Sequence, residues 1–152
     1  MVQSGRKLHL RGDVQQLAKA ITLVQEGARR AGLTARRRDA LESAAREGYL
    51  AIVDACQRGG HKTPVEVEVS WDDRGIEVAL RHSGASLGSL FDRIPLDPRI
   101  EAMRAAVDEV RYVSGSRHGN QLSLGMRIAE TAARARRDAQ ARPPRPRARR
   151  SA

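Results

Sequence analysis

Aromatic residues make up only 3% of this 152-residue chain: one tryptophan, one phenylalanine and two tyrosines. With no stripe of interleaved aromatic and basic side chains, the domain offers no platform on which successive bases stack, which argues against single-strand nucleic-acid binding by the domain itself. A single cysteine, Cys56, excludes an internal disulfide and leaves no second thiol for a soft metal site. The four histidines are too scattered to suggest a metal centre. No apolar run approaches the roughly 18 residues needed to cross a bilayer, and Met1 to Lys7 is polar with no apolar signal region behind it. The expectation is one soluble, cytoplasmic domain without a membrane span.

What the chain has in excess is positive charge, +10 overall. That excess is unevenly placed: residues 134–152 carry eight arginines against Asp138, whereas residues 1–133 carry 20 Lys and Arg against 17 Asp and Glu. The division expected is therefore a folded domain over 1–133 and an Arg/Pro-rich basic tail over 134–152. The run Pro143-Pro144-Arg145-Pro146-Arg147 lacks apolar periodicity and predicts an extended, disordered segment. Such a tail is either simply solvated or in contact with RNA, DNA, anionic lipid or an acidic protein, and charge alone does not choose among these.

Along the domain, Leu8 and Leu10 alternate with polar residues and predict a short strand, followed by a helix capped by Asp13. Leu17, Ala20, Ile21, Val24 and Ala28 recur at helical spacing up to Gly32. Thr34 predicts the cap of a longer helix carrying Leu41, Ala44, Gly48, Ile52 and Cys56 on one stripe, with Tyr49 partly packed beside it. Val65, Val67 and Val69, the turn Asp72 to Gly75, then Ile76, Val78 and Leu80 predict a β-hairpin with one wet face. Residues 83–98 read as a loop with at most one helical turn around Leu87 to Phe91. A helix around Ile100 to Val107, a strand at Val110 and Tyr112, a turn through Gly119-Asn120, a strand at Leu122 to Met126 and a last helix from near Ile128 complete the order. This predicts a two-layer α/β sandwich, a mostly antiparallel sheet covered on one face by helices.

That order, from about Leu8 to Ile128, resembles the GHKL, histidine-kinase-like ATPase fold in the form used by bacterial anti-sigma-factor serine kinases and partner-switching regulators. The family's Glu-x-x-x-Asn box falls on Glu47 to Ala51, and its aspartate followed by glycine-x-glycine falls on His82-Ser83-Gly84-Ala85-Ser86. The resemblance implies an asparagine that helps to hold Mg²⁺, a glutamate base and an aspartate that accepts from the adenine amine. Only Glu47 is retained. Ala51 has no oxygen for a hard cation, His82 replaces the adenine acceptor, and Ser86 replaces the second glycine and adds a Cβ. The stretch expected to close over the phosphates reads Leu96-Asp97-Pro98-Arg99, with one backbone donor removed by proline and a carboxylate beside it.

The expected function is a non-catalytic regulatory interaction module with no cofactor or metal, with a sigma factor or an anti-sigma-antagonist-like protein as partner, or a second copy in a homodimer. The alternatives are an active ATP-dependent serine kinase and nucleic-acid binding through the tail. Glu47 is either a relict base or a surface glutamate paired with Arg46 or another nearby arginine. Interaction candidates are Trp71, exposed at the hairpin tip or capping the sheet edge, the basic run Arg36, Arg37 and Arg38, and the loop residues Leu87, Leu90, Phe91 and Ile94. Their three- and four-residue spacing predicts one helical face that seals the vacant pocket or docks a partner.

Overall fold

The computed structural model describes residues 3–60, 63–117 and 119–128, and the single position 140. His61, His118, the helix expected beyond Ile128, the division at 133/134 and the basic segment lie outside the described residues. The elements are β1 (Ser4–Arg11), a 3-10 turn (Val14–Gln16), α1 (Leu17–Ala31), α2 (Ala35–Arg58), β2 (Pro64–Trp71), β3 (Gly75–His82), α3 (Gly88–Phe91), α4 (Pro98–Ala106), β4 (Glu109–Ser116) and β5 (Gly119–Arg127). The strands form one sheet in the order β1-β2-β3-β5-β4, and every pairing is antiparallel. Helices pack on one face, which is the layered sandwich expected from the sequence.

Alternation sets the register. Leu8 faces Val67, Val67 faces Leu80, Leu80 faces Leu122 and Leu122 faces Tyr112, a row of apolar side chains beneath the helices. The opposite face carries Lys7, Glu66, Glu68 and Arg81; Arg81 donates to both glutamates, and Lys7 pairs with Glu66 at 3.2 Å. Asp13 does cap, though what it caps is the 3-10 turn leading into α1: its carboxylate accepts from the Gln16 amide at 3.1 Å. Thr34 caps α2, and the proline in Leu96-Asp97-Pro98-Arg99 occupies the first turn of α4, where its missing donor is harmless.

Gly48 lies on the sheet-facing side of α2. A Cβ there would stand 2.8 Å from Leu122 Cδ2 and 3.4 Å from Leu80 Cδ1, so the missing side chain lets the long helix sit directly on the sheet. Trp71 is half-buried and packs against the core, with Cε3 3.5 Å from where a Cβ on Gly27 of α1 would be. This corrects the exposed-tip reading, because the tryptophan closes the end of the α1–β2 contact.

Tyr49 is fully buried, not merely partly packed. Its hydroxyl donates to the Asp13 carbonyl at 2.9 Å and shares that hydrogen with the Arg11 carbonyl at 3.2 Å, tying α2 to the β1–α1 junction. Burial, reinforced by Asp13, pushes its pKa up to about 12. Tyr49→Phe leaves those carbonyls without this donor and is expected to cost about 1–3 kcal/mol by urea denaturation.

Candidate functional site

The segment after β3 is held over the sheet by side chains that the sequence reading did not single out. Tyr112 on β4 accepts from the Leu87 amide at 2.8 Å, lies 3.4 Å from His82 Nε2 and stacks on Phe91 at 5.0 Å between ring centroids. Asn120 on β5 donates to the Gly84 carbonyl at 3.2 Å and accepts from the Gly115 amide at 3.2 Å. The available signal for Tyr112 was its place on the inward alternation of β4. For Asn120 there was only its position in a turn.

Leu87 is buried, and Leu90 and Phe91 pack half-buried against the core. Ile94 departs from the expected face: it is 99% exposed, because α3 ends at Phe91 and the helical spacing stops there. Ser86 accepts from the Gly88 amide at 3.0 Å, a local turn contact. Gly84 is exposed, yet a Cβ on it would stand 2.9 Å from Thr63 Oγ1 and 3.2 Å from Cys56 Sγ, so its backbone runs close to the end of α2.

Between α2 and this segment runs a cleft of about 490 Å³, lined among others by Ala51, Asp54, Leu87, Leu90, Arg93 and Arg99. Ala51 and Ser86 therefore meet at one cleft, as the resemblance implies, while Glu47 is not among its lining residues. Glu47 is half-buried and its side chain makes no hydrogen bond or ion pair among the described residues; Arg46, its expected partner, bonds Glu42 one turn back at 3.3 Å instead. Arg99 and Asp54 form an ion pair of 2.6 Å in the cleft wall. Asp97 caps α4 by accepting from the Arg99 amide at 2.9 Å, so a carboxylate of the chain itself already occupies that helix N-terminus.

His82 is buried at the end of β3. Whichever nitrogen carries the proton, Nδ1 has no hydrogen-bond partner among the described residues. Burial pushes its pKa down to about 4, so the imidazole is neutral at pH 7. His82 is not among the residues lining the cleft with Ala51 and Ser86; it lines a separate recess of about 520 Å³ with Lys7, Glu66 and Arg81, which is spanned by the ion pairs of those three. Among the described residues no group of three or more His, Cys, Asp or Glu side chains is placed to hold a metal ion, and no helix is long and apolar enough to cross a membrane.

Of the basic run, Arg36 is exposed and Arg38 half-buried. Arg37 is a structural tie, bonding Asp108 at 2.7 Å, and the same carboxylate oxygen accepts from the Arg127 amide at 2.7 Å. Of the three arginines, Arg37 is thus already paired within the chain.

A five-stranded antiparallel sheet with helices on one face, and a cleft between the long second helix and the segment following the central hairpin, define a Bergerat-type α/β ATPase fold. The histidine kinase-like ATPase domain family matches residues 10–126, and the chain belongs to it. A comparison with curated proteins finds no match.

Proposed function

We propose that this chain is a non-catalytic regulatory interaction module of the anti-sigma-factor-kinase-like branch, in which the nucleotide site is degenerate. The observation that carries the reading is the composition of the cleft: the methyl of Ala51 stands at the expected metal-ligand position, and the nearby carboxylate of Asp54 is committed to Arg99. A hard cation such as Mg²⁺ needs oxygen ligands, and these residues do not fit it. By the resemblance His82, buried and neutral, replaces the aspartate that accepts from adenine, and Asp97 puts negative charge at the start of α4. Phosphoryl transfer rests on positioning together with metal-assisted charge stabilisation, and with Ala51 and an Asp54 held by Arg99 the cleft has no free side-chain oxygen at these two positions for the metal.

The partner class favoured is a sigma factor or an anti-sigma-antagonist-like protein, with a homodimer as a further assembly. Calorimetric titration of the full chain with ATP and Mg²⁺ is expected to give no saturable heat. A51N is expected not to restore it, because the His82 and Asp97 positions remain altered. Tight Mg²⁺-dependent binding, with phosphate appearing on a co-purified protein, overturns this reading in favour of an active serine kinase.

A further inference from the structure

The corner where α1 turns into α2 concentrates positive charge. Arg29 and Arg30 lie in the last turn of α1, Gly32 caps it with φ 83°, and Arg36, Arg37 and Arg38 follow at the start of α2, whose first turn contains no acid. Only Arg37 of these is committed, to Asp108 at 2.7 Å. Arg29, Arg30, Arg36 and Arg38 have no side-chain hydrogen bond or ion pair among the described residues, so four uncommitted guanidinium groups fall within residues 29–38. The corner is also anchored: Leu33 is buried in the core, and Asp108 joins Arg37 to the backbone of Arg127.

The two arginine groups stand in opposite electrostatic settings. Positive charge at the C-terminal end of α1 is favoured by the helix dipole, but at the N-terminal end of α2 it is opposed. Helix electrostatics therefore accounts for Arg29 and Arg30 and works against Arg36 and Arg38, which form no ion pair among the described residues. We propose that this corner docks an acidic segment of a protein partner, with Arg29, Arg30, Arg36 and Arg38 as its contacts. This names the partner's chemistry for the interaction reading above and rests on it. A polypeptide is favoured over nucleic acid because Glu26, Asp39 and Glu42 interrupt the patch, which a continuous polyphosphate meets unfavourably. Half-buried Ala31 and Ala40 also add apolar contact beside the arginines.

The test uses the full chain, with fluorescently labelled poly-L-glutamate and a labelled mixed-sequence DNA duplex as probes. R36E/R38E is expected to weaken poly-L-glutamate binding about tenfold while raising Tm by about 2–4 °C, since acids replace bases at a helix N-terminus. R29E/R30E is expected to weaken binding and lower Tm, because there the dipole acts in the other direction. The charge-matched R145E/R147E controls for the basic segment and is expected to change binding less than either corner variant. If R36E/R38E does not fold, R36Q/R38Q carries the same signs at smaller size.

Equal or larger weakening by R145E/R147E overturns the proposal, as does a lower Tm in the folded R36E/R38E or R36Q/R38Q. Tighter corner-dependent binding of the duplex than of poly-L-glutamate reassigns the surface to nucleic acid and also overturns it. Arg29, Arg30, Arg36 and Arg38 are not among the residues that line the cleft. ATP binding in calorimetry therefore sinks the functional reading separately, while loss of the corner effect sinks only this one.

Discussion

Changing Leu90 and Phe91 together to alanine is expected to cost the isolated chain about 3 kcal/mol or more, in the range of large-to-small substitutions scaled for partial burial. Both side chains pack half-buried against the core, and Phe91 also stacks on Tyr112 with 8° between ring planes. The stacked pair sits on the hydroxyl contact that holds the Leu87 amide, so removing the phenyl ring loosens the clip as well as opening a void. The residues are adjacent and share Tyr112 as a neighbour, so the double substitution is not expected to equal the sum of the single ones. Urea denaturation of the two single variants and the double variant measures this directly. A melting curve unchanged from wild type, with weaker binding to a partner, would show that the segment docks a partner instead of sealing the cleft. Ile94→Ala is the internal control, since that side chain is 99% exposed and should leave stability unaltered.

Stability is expected to fall by roughly 3 kcal/mol between pH 7 and pH 4 through His82 alone. The native imidazole is held neutral by burial, with its pKa pushed down to about 4, below the ordinary histidine value of 6.5. Between those values the unfolded chain takes up a proton that the native chain refuses, so stability is complete above about pH 6.5 and is lost as pH falls towards 4. Tyr112 gives the charged ring little help: its hydroxyl is 3.4 Å from Nε2, and Nδ1 has no partner. Glu66 pulls in the same direction at lower pH. Burial raises its pKa, but hydrogen bonds and charge from Lys7 and Arg81 outweigh that and hold it below the usual carboxylate value. Urea denaturation at pH 7 and pH 5 therefore isolates the histidine. In His82→Leu, which cannot titrate, most of the difference between these two pH values should disappear; an unchanged slope would sink the assignment.

Much of the frame was legible in the sequence because it depends on local chemistry. The alternation of Val65, Val67 and Val69 against Ile76, Val78 and Leu80 specifies a hairpin and its buried face, and the Gly32 and Thr34 signals mark where α1 ends and α2 begins. Residue identity alone also determined that Ala51 has no side-chain oxygen to offer. The placement of Trp71, the separation of Ile94 from Leu87, Leu90 and Phe91, and the use of Arg37 as a tie to Asp108 were not legible there. Each depends on what arrives from elsewhere in the chain. Spacing states which residues share a face only while a helix continues, and α3 stops before Ile94. A charge run shows that arginines are present but not that an acid 71 residues away binds the middle one. Tyr112 and Asn120 became organising residues only when the sheet order set β4 and β5 beside the end of β3, because a hydroxyl or an amide has no assignable partner until the fold supplies one within bonding distance.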